Sequence, residues 1–208
     1  MRLLRIAPPA LLSLVLVLAA APALAVPRVI VALGDSLTAG LGVAPDEAYP
    51  ALLEARARAA GFDYRVVNAG VSGDTSAGGL RRVDWVLRAH PEIAIVALGA
   101  NDGLRGLPIP ALHENLTSIV SRLRDAGARV LLVGMRLPPN YGDAYAGAFA
   151  EVFRLVARRT AVAFVPFLLE GVAADPGLNQ TDGIHPNAAG HRAIAAHLWT
   201  SLQPLLRR

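Results

Sequence analysis

Short apolar runs that stop at glycine-led polar loops recur along this chain, and they leave few folds open. Val29-Ile30-Val31-Ala32-Leu33 is the first, rich in β-branched residues and too short for a helix. Such a run suits a strand buried on both faces, as in a parallel sheet. Residues 64–69, 93–98, 129–133 and 162–166 repeat the pattern. Between them lie segments that read as helices, at 46–60, 77–88, 110–126 and 143–160, and a last one capped by Asn187 and reaching Leu202. Asp46 is placed as the cap of the first helix, with Pro50 in its first turn. Leu112, Leu116, Ile119, Val120 and Leu123 share one face of the 110–126 helix. Strands alternating with helices predict βαβ units, hence an α/β fold of three layers around a largely parallel sheet. No repeat or linker interrupts the pattern, so residues 26–208 are expected to form one domain.

The first 25 residues are expected to stand apart. Arg2 and Arg5 precede an apolar stretch over residues 11–21, and Ala23-Leu24-Ala25 is a small-x-small cleavage site. This reads as a secretory signal peptide, its apolar part too short for a spanning helix, with an uncleaved anchor as the alternative. A periplasmic or secreted protein without a stable membrane anchor is the expectation.

Composition removes several chemistries. The chain has no Cys, which excludes disulfides, thiolate catalysis and Cys-based zinc sites. All 20 basic residues are Arg, so a Walker-type loop, a Schiff base and a Ser-x-x-Lys site are excluded too. Removing Arg2 and Arg5 leaves 18 basic against 16 acidic residues, a formal charge of +2. The pairs Arg81-Arg82 and Arg158-Arg159 read as solvated helix faces, so nucleic acid is not an expected partner.

Three of the strands end in small polar motifs: Gly34-Asp35-Ser36, the loop 70–76, and Gly99-Ala100-Asn101-Asp102. In an open α/β sheet these ends gather at one edge, where ligands bind. Ser36 alone reads as a cap of the next helix before it reads as a nucleophile. A nucleophilic Ser needs a base, an acid to orient that base, and donors for the developing oxyanion. His185 is the natural base, since His90, His113, His191 and His197 lie on or beside helices. Asp182, three residues earlier, can reach its Nδ1 within one turn. The Ser36 N–H, the Gly73 N–H and the Asn101 carboxamide are the available donors, although Asn101 could instead serve its own turn.

These residues carry a resemblance. Gly34-Asp35-Ser36-Leu37, Gly73 within Ser-Gly-Asp-Thr-Ser, Gly99-Ala100-Asn101-Asp102 and Asp182-Gly183-Ile184-His185-Pro186 match, in order, the four blocks of the GDSL or SGNH hydrolases. Met135-Arg136-Leu137-Pro138-Pro139-Asn140-Tyr141-Gly142 is similar to the exported thioesterase, lysophospholipase and arylesterase branch of that family. The Gly-x-Ser-x-Gly elbow of α/β-hydrolases is absent, since position 38 is Thr.

The resemblance implies a flavodoxin-like sheet of order 2-1-3-4-5. It implies Ser36 as nucleophile, His185 as base, Asp182 as orienting acid, and Ser36, Gly73 and Asn101 as oxyanion donors. It also implies a mobile loop over residues 102–110 that lines an acyl pocket. Leu104, Leu107, Ile109 and Pro138 are the expected pocket residues. The expected activity is hydrolysis of small-molecule acyl esters or thioesters by a monomer without metal or organic cofactor. Two rivals stay open: a carbohydrate acetyl esterase of the same fold, and a non-catalytic periplasmic binding protein.

Overall fold

The computed structural model describes residues 27–208, so the segment read as a signal peptide lies outside the described residues. The elements run β1 (Arg28–Gly34), α1 (Ser36–Ala39), α2 (Tyr49–Ala59), β2 (Tyr64–Gly70), α3 (Ser76–Arg81), α4 (Val83–Leu87), β3 (Ile93–Ala97), α5 (Ala100–Leu104), α6 (Ile109–Asp125), β4 (Arg129–Val133), α7 (Asp143–Thr160), β5 (Ala163–Val165) and α8 (Ala188–Leu202). The five strands pair in parallel in the order β2-β1-β3-β4-β5. On one face α2 packs on β2 and α8, and α8 reaches β5. On the other face α3, α4 and α7 pack around α6. Among the described residues no helix is long and apolar enough to cross a membrane.

The apolar runs explain the centre of the sheet. Ile30, Val31, Ala32 and Leu33 of β1 and all five residues of β3 are buried, as two-sided coverage by helices requires. Each such Leu or Ile contributes about 1.5–3 kcal/mol relative to exposure. The two central strands are therefore held firmly, and so is the edge where both end.

Four expectations are corrected in detail. The second helix starts at Tyr49 rather than Asp46, with Ala48 at the cap position and Pro50 in the first turn, where its missing N–H is not needed. The 77–88 segment is not one helix: it starts at Ser76, capped by Thr75, and breaks at Arg82. Arg82 is also not solvated, since its side chain is only 18% exposed and turns inward. The 102–110 segment is helical through Leu104. Gly99 makes the turn into it at φ +116°, where a Cβ would meet Phe153 at 2.9 Å.

The layer formed by α2 and α8 encloses a histidine. His191 is 1% exposed, stacks on Tyr49 at 6.3 Å, and its Nδ1 accepts from the Tyr49 N–H at 3.3 Å. Burial pulls it down to about 4, outweighing the opposing charge of Glu47. The folded chain thus holds this ring neutral while the unfolded chain protonates it near pH 6.5. Its contribution is complete above that pH and is lost as pH falls toward 4. Urea unfolding between pH 7 and 4.5 should show His191→Gln with a shallower pH dependence than wild type. The difference should approach one proton, a slope of about 1.4 kcal/mol per pH unit.

Candidate active site

The chain leaves β1 toward β2 on one side and reaches β3 on the other, so the carboxyl ends of β1 and β3 flank a crevice. Ser36 follows β1 and Asn101 follows β3. At the first of these turns Asp35, not Ser36, is the helix cap: its Oδ1 accepts from the Leu37 N–H at 3.0 Å. Ser36 becomes the first residue of α1, and its hydroxyl is left for another partner. The Asp35 carboxyl is 2% exposed and pushed up to about 6, chiefly by burial, although the Leu37 N–H and the field of His185 favour its charged form.

That partner is His185. Ser36 Oγ lies 3.0 Å from His185 Nε2, and His185 Nδ1 lies 2.7 Å from Asp182 Oδ2. Asp182 Oδ1 also accepts from the N–H groups of Ile184 and His185, both at 3.0 Å. These bonds hold the Asp182 carboxyl down to about 2, the His185 N–H contributing most, then the Ile184 N–H and the ring. Asp182 and His185 thus sit in one short loop. An antiparallel bridge between Asn179 and Pro186 closes that loop, and Gln180 pins it by donating to the Leu41 and Pro186 carbonyls.

The three expected donors converge on the same edge. Gly73 adopts φ +79°, a left-handed conformation that favours glycine, and its carbonyl accepts from Arg105 at 2.9 Å. Among the described residues neither the Ser36 N–H nor the Gly73 N–H has an acceptor within the chain. Asn101 Nδ2 donates to the Asp74 carbonyl at 3.0 Å, which fixes its amide plane. Its other contact, Asp35 Oδ2 at 3.4 Å, is long for a hydrogen bond.

An apolar cavity of about 480 Å³ opens beside Ser36 and His185, walled by Leu104, Met135, Leu137, Pro138, Phe167 and Leu169. Leu104 and Pro138 are where the sequence places them. Leu107 and Ile109 are not. The Leu107 carbonyl takes a bond from the Tyr145 hydroxyl at 2.9 Å, and Ile109 opens α6 against the core. The helical turn of α5 carries the chain away from the cavity after Leu104. Met135 and Phe167 were missed, although each lies just past the carboxyl end of β4 or β5, where ligands gather. Among the described residues no cluster of His, Asp and Glu could hold a metal ion.

The fold is that of the SGNH hydrolases, and the chain belongs to the GDSL-like lipase/acylhydrolase family, whose model matches residues 32–193. It is similar to the esterase TesA of Pseudomonas aeruginosa, 46% identical, with 86% of this chain and 90% of that protein covered. It is also similar to the thioesterase 1/protease 1/lysophospholipase L1 of Escherichia coli K12, 41% identical, covering 84% and 83%. The crystal structure of the esterase EstA of Pseudoalteromonas sp., inhibited by monoethylphosphonate, superposes with a TM-score of 0.81. It is 34% identical over 85% of this chain and 97% of that one.

Proposed function

We propose that this enzyme hydrolyses carboxylic esters and thioesters in two acyl-transfer steps, with Ser36 as nucleophile, His185 as base and Asp182 as the acid that orients it. The unbroken chain of bonds from Ser36 through His185 to Asp182, at the mouth of an apolar cavity, carries the reading. With its Nδ1 proton donated to Asp182, the imidazole presents a lone pair on Nε2 to the Ser36 hydroxyl. Ser36 Oγ attacks the carbonyl carbon, its proton passes to Nε2, and the carbonyl oxygen takes the charge. The N–H groups of Ser36 and Gly73 and the Asn101 carboxamide receive that charge. His185 then protonates the leaving alkoxide, phenoxide or thiolate, and water releases the acyl group by the reverse roles. The names of the esterase and thioesterase relatives agree with this reading, and so does a phosphonate inhibitor in a solved one.

A cavity of that volume with aliphatic and aromatic walls favours an acyl chain over a sugar. Aryl esters, acyl thioesters and lysophospholipids fit the class, and activity outside the cytoplasm follows from the reading of residues 1–25. A series of p-nitrophenyl esters from acetate to laurate should show kcat/KM rising beyond acetate and peaking at a medium chain. A preference for acetate alone would favour a carbohydrate acetyl esterase. Failure of a fluorophosphonate to label Ser36 would favour a binding protein without activity.

A further inference from the structure

The break between α3 and α4 falls at Arg82, and its guanidinium reaches under the edge where the chemistry is placed. Nη2 donates to the Gly34 carbonyl at 2.8 Å, Nη1 to the Ala69 carbonyl at 2.6 Å, and Nε to Asp74 Oδ2 at 2.7 Å. The first two acceptors are at the carboxyl ends of β1 and β2. The third belongs to the residue that follows Gly73. Its carboxylate is let in by Gly78, where a Cβ would stand 1.6 Å from Asp74 Oδ1. Arg82 and Asp74 are both largely shielded, with side chains 18% and 12% exposed.

Each proposed oxyanion donor is one short link from an atom that Arg82 holds. Ser36 lies two residues beyond Gly34, Gly73 is bonded to Asp74, and Asn101 Nδ2 donates to the Asp74 carbonyl at 3.0 Å. The planar fork of a guanidinium fixes three acceptors at once, which a Lys ammonium does not do with the same geometry. We propose that Arg82 is a positioning residue that sets the spacing of the three oxyanion donors by joining the ends of β1 and β2 to Asp74. This inference rests on the acyl-transfer reading above. Arg82 touches no reacting atom; it acts through the main chain of the Ser36 turn and of the Gly73 loop.

The test is steady-state kinetics of Arg82→Gln and Arg82→Lys with a p-nitrophenyl ester and its thionoester analogue. Rates are normalised to sites titrated with a fluorophosphonate. Misplacing donors by a fraction of an ångström should lower kcat roughly 10- to 100-fold, with KM within about threefold. An aligned hole prefers oxygen to the larger, weakly accepting sulfur, so the oxoester-to-thionoester rate ratio should fall in both variants. Asn101→Ala gives the fall expected when a donor itself is lost. Ethylguanidinium added to Arg82→Ala should restore part of kcat and of that ratio. A lowered melting temperature with unchanged kcat and ratio per titrated site would overturn the proposal. If the Arg82 variants do not fold, Asp74→Asn removes the charge pair at nearly constant shape. It should show the same kcat-selective loss, and its absence would equally overturn the proposal. A wild-type enzyme with no ester hydrolysis would instead refute the acyl-transfer reading.

Discussion

Replacing Ser36 by alanine is expected to lower kcat for a p-nitrophenyl ester by about 10⁴- to 10⁶-fold while leaving the fold in place. Ser36 is the first residue of α1, but its hydroxyl does not cap that helix; Asp35 does. The substitution therefore removes the proposed nucleophile and one bond to His185 Nε2, and no bond that holds α1. Far-ultraviolet circular dichroism and the melting temperature should match wild type. The remaining rate would come from the donors and the apolar cavity, which still bind and polarise the ester. A variant within tenfold of wild type would refute Ser36 as nucleophile.

Asp182→Asn should have the second largest effect, a fall in kcat of roughly 10³- to 10⁴-fold. The side-chain oxygen of Asn can still accept from the N–H groups of Ile184 and His185, so the loop should keep its shape. The new amide nitrogen would face His185 Nδ1 where a carboxylate oxygen stood at 2.7 Å. Two donors cannot share that contact, and the ring proton moves to Nε2, where it opposes the Ser36 hydroxyl. The base is then present but in the wrong tautomer. Asp182 is 46% exposed on its side chain, so water softens the electrostatic part and favours the lower end of the range. The fluorophosphonate reaction rate reads the same loss in the first step alone, since fluoride departs from phosphorus without a proton from His185 and no deacylation follows. A fall in kcat below tenfold would make Asp182 a loop residue only.

Much of this architecture is legible from residue order because its signals are local. The β-branched runs give the strands, and helix α7 spans the 143–160 segment read as a helix. The pairing of Asp182 with His185 is legible for the same reason, the two lying three residues apart in a loop that holds Gly183 and Pro186. What periodicity misses is what tertiary contacts decide. Arg82 sits in a segment of helical composition beside Arg81, and nothing local says that one guanidinium turns inward while the other stays in water. Only the approach of two strand ends and Asp74 creates the acceptors that draw it in. Gly78-Gly79 was the available hint, since two glycines weaken a helix there. The cavity walls Met135, Phe167 and Leu169 come from chain far apart in sequence and become neighbours only when β4 and β5 pair.

The loop that unites Asp182 with His185 has a consequence in time. That half of the machinery assembles within a few residues, whereas Ser36 and His185 stand 149 positions apart and meet through a single bond. Closing that long loop costs more chain entropy than the three-residue step from Asp182 to His185, although the cost grows only slowly with length. A nascent chain carries Ser36 from the first strand onward, yet the base proposed for it, His185, follows the last strand of the sheet. On the proposed roles, competence waits for the part of the chain that follows β5.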